Sequence, residues 1–243
     1  SSDVCSSDLQ VSYSGDDSYE WFGGTVNCKH LIAFRGLDDD WDTDNGFSGK
    51  VQFSVSLRDS AVADVSGSNG FESDNDASGS TNNPRTQAQF CNMTVVGPCA
   101  TNTTQVNSNY RRGAHVRRSS REDIFNSIIT GWASANASMA MVLLDGTNVQ
   151  TDATNGEVQI HNTITEGNAP FASASPSTYD VLSWIQTTSF GNTINTTPNT
   201  VGLADPFNLT NPNFVPTNAA NVANVSYTGL TGFDVVKIGR AHV

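Results

Sequence analysis

The sequence predicts an all-β fold, specifically a right-handed parallel β-helix (a β-solenoid) that lacks its caps. Signals for helices are scarce, since only residues 121–129 have helical character and their β-branched end fits a strand equally well. Short runs of alternating apolar and polar residues recur between Gly, Asn and Asp, for example at residues 51–57 and 158–164. A unit of about 22 residues also repeats, which is the size of one coil holding two or three strands.

The repeat consists of three segments that align without gaps, GDDSYEWFGG, DDDWDTDNG and SNGFESDND. Their aromatic residues Tyr19, Trp41 and Phe71 form one column, with spacings of 22 and 30 residues. Because side chains alternate between the two faces of a strand, we expect the aromatic column inside the solenoid and the next column outside. An antiparallel β-sandwich also has short strands and turns, but it gives no reason for matching columns to recur.

Both ends of the chain are predicted to be translated sequencing adapter. The opening SSDVCSSDL and the closing IGRAHV back-translate to one library adapter in opposite orientations. We therefore divide the chain into adapter-derived ends (residues 1–9 and 237–243), β-helix coils (10–169) and a loop-rich continuation of the β-helix (170–236). The ends are expected to continue no coil. Three cysteines remain between them without a metal motif, and Cys28 is expected to be a small core residue.

Composition narrows the classes of function. The chain has 24 acidic and 12 basic residues, a formal net charge of −12. This excess argues against nucleic-acid binding, which depends on basic side chains that neutralise phosphates, and it is compatible with bound cations. The longest apolar run, residues 139–144, is too short to cross a bilayer, so the sequence predicts no transmembrane segment.

The strongest candidate site is a patch of carboxylates beside the aromatic column. Glu20, Asp42 and Glu72 follow the aromatic residues directly, and Asp44 and Asp74 lie two positions further on. Neighbouring strands lie ~4.8 Å apart, so these like charges would repel one another. A hard cation bound through oxygen ligands relieves that repulsion, and Ca²⁺ is the natural candidate outside the cell. A solvated acidic face and a catalytic carboxylate pair are the alternatives.

A cluster of arginines is unusual in so acidic a chain. Arg117, Arg118 and Arg121 lie close together, and Arg111 and Arg112 precede them. Guanidinium groups bind carboxylates in bidentate pairs, so this cluster could bind an acidic polysaccharide. It could also pair with the protein's own acidic column, which is the interpretation that we favour from the sequence.

Several segments resemble a family of secreted proteins from environmental bacteria. They are VSYSGDDSYEWFGGTVNCKHLIAFRGLDDDWDTDNGFSGKVQF, SNGFESDND, GAHVRRSSREDIFNSIITGW and LADPFNLTNPNF. Members of that family look like pectate-lyase-type parallel β-helices, so the resemblance implies a β-helix that is secreted or held at the outer cell surface. It also implies a signal peptide and a C-terminal sorting domain outside this chain. The Asp-rich strings are similar in style to those of calcium-dependent polysaccharide lyases and polygalacturonases, without a complete catalytic motif of either.

Two expectations for function follow. The first is a non-enzymatic β-helix module, stabilised by calcium, that serves adhesion or contacts a cell-surface glycan. The alternative is a calcium-dependent polysaccharide lyase or related glycan-active enzyme, in which calcium acidifies the proton next to a uronate carboxylate and a base removes it. Lys29, Lys50 and Arg35 are the candidate bases. We expect a module rather than an enzyme, and a groove holding the acidic patch would favour the enzyme.

Overall fold

The computed structural model describes residues 5–235, which form stacked coils of short strands joined by turns. In chain order the strands are β1 (Cys5–Ser12), β2 (Tyr19–Phe22), β3 (Asn27–Phe34), β4 (Trp41–Asp44), β5 (Lys50–Gln52), β6 (Val55–Leu57), β7 (Phe71–Ser73), β8 (Gln87–Cys91), β9 (Thr94–Val96), β10 (Arg112–Val116), β11 (Arg121–Phe125), β12 (Ile128–Thr130), β13 (Ala140–Asp145), β14 (Gln159–His161), β15 (Ile164–Glu166), β16 (Phe171–Ala174), β17 (Thr193–Asn195), β18 (Leu203–Asp205) and β19 (Asn213–Pro216). The α-helices are α1 (Thr147–Asn155) and α2 (Val181–Ile185).

The strands from β1 to β17 pair in parallel with the strands of neighbouring coils and form three ladders. Ladder one contains the first halves of β1 and β3, then β5, β8, β11 and β14. Ladder two contains the second halves of β1 and β3, then β6, β9, β12, β15 and β17. Ladder three contains β2, β4, β7, β10, β13 and β16. The predicted all-β parallel solenoid is confirmed, whereas its right-handed winding and its lack of caps stay predictions.

The aromatic column is in the predicted register. Tyr19 pairs with Trp41, which pairs with Phe71 on the next coil. Trp41 and Phe71 are fully buried, and the half-buried Tyr19 stacks on Trp41 with ring centroids 5.1 Å apart. Cys28 is buried in the same core, as predicted, while Cys91 and Cys99 are buried with free thiols. The parallel pairing of these segments excludes the antiparallel sandwich.

Ladders one and two meet at a bend where one residue of each coil has a left-handed backbone. His30, Phe53, Asn92, Asn126 and Asn162 occupy this column, with φ between 51° and 58°. Asn adopts this conformation more readily than most residues because its short polar side chain bonds locally. The bend therefore places a row of amide side chains along one edge of the solenoid.

One expectation about the chain ends is corrected. Residues 5–9 belong to β1 and pair with β3, so the prediction that residues 1–9 continue no coil is wrong for that part. Parallel pairing does not test the adapter origin of these residues, which stays a prediction. Residues 237–243 lie outside the described residues.

In the segment predicted as a loop-rich continuation, β16 and β17 extend ladders three and two. The chain then turns back, and β18 and β19 pair antiparallel to each other. Val201, Leu203 and Val222 pack on outward side chains of β12 and β15, and Phe214 packs on those of β6 and β9. The last described residues, 224–235, cross to the outer face of ladder one.

Both α-helices are short, with nine residues in α1 and five in α2. Within residues 5–235, no helix has the length and apolar character needed to span a membrane.

Candidate cation site

The acidic column exists on the outer face of ladder three. Glu20 pairs with Asp42, and Asp42 pairs with Glu72. The three side chains differ in environment, however, because Glu20 is exposed, Asp42 is half-buried and Glu72 is buried. Their exposure differs because different side chains pack beside the carboxylate on each coil. The predicted metal ligands therefore fall into two groups.

The first group, Glu72 and Asp74, is neutralised by the protein's own bases. Arg117 spans both carboxylates, with Nη2 2.5 Å from Glu72 Oε1 and Nε 2.8 Å from Asp74 Oδ1. Arg118 Nη1 lies 2.8 Å from Asp74 Oδ2, and His115 Nδ1 lies 3.3 Å from Glu72 Oε2. Burial raises the pKa of Glu72, but the hydrogen bond with His115 and the charge of Arg117 lower it below its ordinary value. These two carboxylates therefore have internal counter-charges.

Arg121 belongs to a different cluster. Its Nη2 lies 3.3 Å from Asp152 Oδ1 and its Nη1 lies 2.9 Å from Glu157 Oε2. The three arginines predicted to bind a ligand therefore do not converge on one site. Arg117 and Arg118 pair with carboxylates of the acidic patch, which is the internal pairing that the sequence favoured, whereas Arg121 pairs with carboxylates outside that patch.

The second group of carboxylates lies closer to the turn that precedes ladder three. Asp17, Glu20 and Asp42 each offer an oxygen, and these oxygens lie within 4.8 Å of one another. We call these three residues the carboxylate cluster. Within the part of the chain that the structure describes, no ion pair joins them to a basic side chain. Asp44 lies outside the cluster, and its Oδ1 accepts a hydrogen bond from the N–H of Asn45.

Asp17 was missed by the sequence analysis, although the repeat contains the signal. Asp17, Asp39 and Asn69 stand two residues before the aromatic column on successive coils. The N–H of Asp39 donates to Asp17 Oδ1 at 2.7 Å, and the N–H of Asn69 donates to Asp39 Oδ1 at 2.5 Å. Asn69 Oδ1 then accepts from the N–H of Arg112 at 3.0 Å. This side-chain ladder fixes the carboxylate of Asp17 toward Asp42.

The electrostatics of the cluster show strong crowding. Burial, followed by the charges of Glu72 and Asp17, raises the pKa of Asp42 to about 9. Burial also raises the pKa of Asp17 to about 7, against the hydrogen bond from Asp39. Burial and the charges of Asp16 and Asp44 raise the pKa of Glu20 above its ordinary value. At neutral pH the cluster can either retain protons or exchange them for a cation.

The donor set fits a hard cation. Three carboxylates supply three to six oxygens, and Ca²⁺ takes about six to eight oxygens in flexible geometry, so water would complete the shell. A second group of oxygens, from Asp16, Asp17 and Asp38, adjoins the first and shares Asp17 with it.

A sequence model of the pectate-lyase like beta helix domain matches residues 5–202. The chain belongs to this family. Comparisons with curated proteins and with solved structures gave no match. Membership of the pectate-lyase-like β-helix family confirms the pectate-lyase-like part of the resemblance seen in the sequence and fits a glycan-related module.

In this pectate-lyase-like β-helix, the candidate bases lie on other faces than the carboxylate cluster. Lys29 and Lys50 project from ladder one, where Lys29 Nζ lies 2.7 Å from Asp234 Oδ2 and Lys50 Nζ donates to the carbonyl oxygen of Thr231. Arg35 follows β3 at the end of ladder two and pairs with Asp59. The structure therefore separates the carboxylates from the three bases predicted to work with them.

A cleft of about 760 Å³ lies elsewhere, between the outer face of ladder two and residues 209–215. Its walls include Tyr13, Phe34, Leu209 and Phe214, and none of its lining residues is acidic. This cleft does not hold the acidic patch, so it gives no support to the groove expected of a lyase.

Proposed function

We propose that this β-helix is a calcium-stabilised module that contacts glycans at the outer cell surface or outside the cell. The observation that carries the proposal is the crowding of Asp17, Glu20 and Asp42 at ladder three, where no basic side chain among residues 5–235 pairs with them. Extracellular calcium modules have dissociation constants of about 10⁻⁴–10⁻³ M, a range that three carboxylates and water can meet. The family, whose name refers to enzymes of an acidic polysaccharide, supports the glycan part.

A calcium-dependent polysaccharide lyase is the second candidate. It is supported by the family and by the nearness of an arginine to the acidic face. Arg117 is, however, a poor base. Burial favours a lower pKa for this guanidinium, but its hydrogen bonds with Asp74 and the charges of Glu72 and Asp74 raise the pKa above its already high ordinary value. A module without catalysis therefore agrees better with the site.

Calcium is expected to raise the melting temperature of the full chain. Binding to the folded state alone contributes about 2.7 kcal/mol at a hundredfold excess over the dissociation constant. Magnesium should contribute less because it requires near-ideal octahedral geometry. The gain should shrink as the pH falls, because protons compete with calcium for Asp17 and Asp42, whose pKa values are raised. Scanning calorimetry after removal of metal with EGTA measures all three effects.

Two substitutions on the same strand locate the site. Asp42→Asn should remove most of the calcium gain and leave the metal-free protein at least as stable, because it removes a crowded carboxylate. Asp44→Asn is the matched control, since Asp44 lies on the same face of β4 but outside the carboxylate cluster. A calcium gain that survives Asp42→Asn would contradict the site. Loss of the gain with Asp44→Asn would instead restore the ligand set predicted from the sequence.

Glycan contact is tested with immobilised polygalacturonate and alginate, and with a neutral glucan as the control. We expect calcium-dependent retention of the full chain on the acidic polymers, with no rise in the absorbance of unsaturated products. A calcium-dependent rise in that absorbance would establish the lyase in place of the module. Absence of retention on every polymer, with calcium present, would refute the glycan part of the proposal and leave the calcium site to its own test.

A further inference from the structure

A polar segment, residues 224–235, lies across the outer face of ladder one, and we call it the strap. It contains turns and bends but neither helix nor strand. It contacts Asn126 after β11 through Ser226, and it reaches β5 and β3 through Asp234. The strap thus crosses successive coils and follows the long axis of the solenoid. A linear polymer bound to stacked strands would take the same direction.

Two side-chain amides hold the strap, each by a pair of hydrogen bonds to one residue's main chain. Asn126 Nδ2 donates to the carbonyl oxygen of Ser226 at 2.9 Å, and Asn126 Oδ1 accepts from its N–H at 2.8 Å. Gln52 Nε2 donates to the carbonyl oxygen of Asp234 at 2.9 Å, and Gln52 Oε1 accepts from its N–H at 2.9 Å. Lys29 adds the ion pair with the Asp234 carboxylate. The face offers donors, acceptors and positive charge at fixed spacing.

No side chain of the strap is fully buried. Val222 is the last buried residue of the described chain, and residues 223–235 are all half-buried or exposed. Beneath the strap, by contrast, Gln52, Asn126 and Phe125 are only 1%, 0% and 3% exposed. The apolar side chains of the strap, among them Leu230 beside Phe125, are at most half-buried, so we expect the strap to open at a small fraction of the global unfolding free energy. Opening would uncover amides and an aromatic ring together.

We propose that the strap is displaceable and occupies in cis a site for an extended acidic oligosaccharide on the outer face of ladder one. The Asp234 carboxylate stands where a sugar carboxylate would meet Lys29, and Lys50 Nζ lies 5.5 Å from the centre of the Phe233 ring. The amides beneath would bind sugar hydroxyls, and Phe125 would supply apolar surface. The inference rests on the proposed function in its choice of a glycan, and on the contacts above for the strap itself.

Hydrogen exchange on the full chain tests the strap, because the N–H groups of Ser226 and Asp234 both donate to the face. We expect slow exchange of these two amides in the free protein, faster exchange with hexagalacturonate and no change with neutral maltohexaose. Asp234→Asn loses the ion pair with Lys29, so it should lower the hexagalacturonate midpoint roughly twofold to fivefold. Asp205→Asn, at another exposed acid of the C-terminal segment, should leave the midpoint unchanged.

The remaining outcomes of the exchange and binding experiments also support or overturn the inference. Rapid exchange of both amides in the free protein overturns the strap without reference to any glycan. Hexagalacturonate that binds while both amides stay protected overturns the inference and leaves the proposed function standing. If the unmodified chain does not bind hexagalacturonate, the variant Ser226→Pro is tested. It loses the N–H that donates to Asn126, so the strap should open more readily and expose the site. Binding by this variant supports the inference, and its failure to bind while residues 224–235 exchange freely overturns it.

Discussion

Arg58→Met is expected to lower the free energy of unfolding by about 3–5 kcal/mol, the cost of breaking a buried ion pair from one side. The side chains of Arg58 and Asp40 are both fully buried, with Nε 3.3 Å from Oδ1. Burial raises the pKa of Asp40 to about 6 even though the charge of Arg58 opposes that shift. Without Arg58, the carboxylate of Asp40 is left in the interior with no counter-charge.

Arg58 also joins the backbones of two coils. Its Nη1 donates to the carbonyl oxygen of Gly36 at 2.9 Å, and its Nη2 donates to those of Asp38 and Asn69. Arg58→Lys keeps the charge, but a single ammonium group cannot reproduce this fork of donors, so most of the loss should remain.

Urea unfolding followed by circular dichroism measures these losses. Lys29→Met is the control, because its ion pair with Asp234 is exposed and should contribute less than about 1 kcal/mol. The double change Arg58→Met with Asp40→Leu should recover much of the loss, since it leaves neither charge buried alone. Equal stability of Arg58→Met and Lys29→Met would contradict the assigned role.

The columns of the repeat were predictable because parallel pairing keeps equivalent residues at one height on every coil. The insertion between β6 and β7 did not disturb them, since it leaves the solenoid as a loop and Phe71 still pairs with Trp41. Sequence alone could align such columns, but it could not assign partners from other coils. Whether a carboxylate faces Arg117 or another carboxylate depends on the next coil, which holds β10 and is not one of the three aligned segments.

The local sequence predicted the wrong secondary structure or location where burial in the core outweighs the intrinsic preference of a residue type. The segment 121–129, which has some helical character, forms β11 and β12. Glu122 lies in the interior, where neither carboxylate oxygen has a hydrogen-bond partner among the described residues and burial raises its pKa to about 8. A protonated glutamic acid behaves there as a core residue. Conversely, α1 has weak helix formers, and it is stabilised by Val149 and Ala153 packed in the core.

Asp74→Ala is expected to destabilise the metal-free protein by about 3 kcal/mol, near the lower end for a buried ion pair. From the sequence, Asp42 and Asp74 belong to one acidic patch, and removing either charge should relieve repulsion. In the structure the Asp74 side chain is 7% exposed and accepts hydrogen bonds from Arg117 and Arg118. The loss stays near the lower limit because Arg117 is 27% exposed, and water can solvate part of its guanidinium.

A double-mutant cycle with Arg117→Gln separates this pairing from other effects of the substitution. We expect the sum of the two single losses to exceed the loss of the double mutant, because either change alone breaks the same ion pair. Asp42→Asn should show no loss in the same urea experiment, since Asp42 has carboxylate neighbours and no ion pair with a basic side chain of the described segment. A stabilising Asp74→Ala would mean that repulsion dominates on both coils, as the sequence suggested. Opposite signs at these two positions would show that the outer face of ladder three is divided into a neutralised half and a half that can accept a cation.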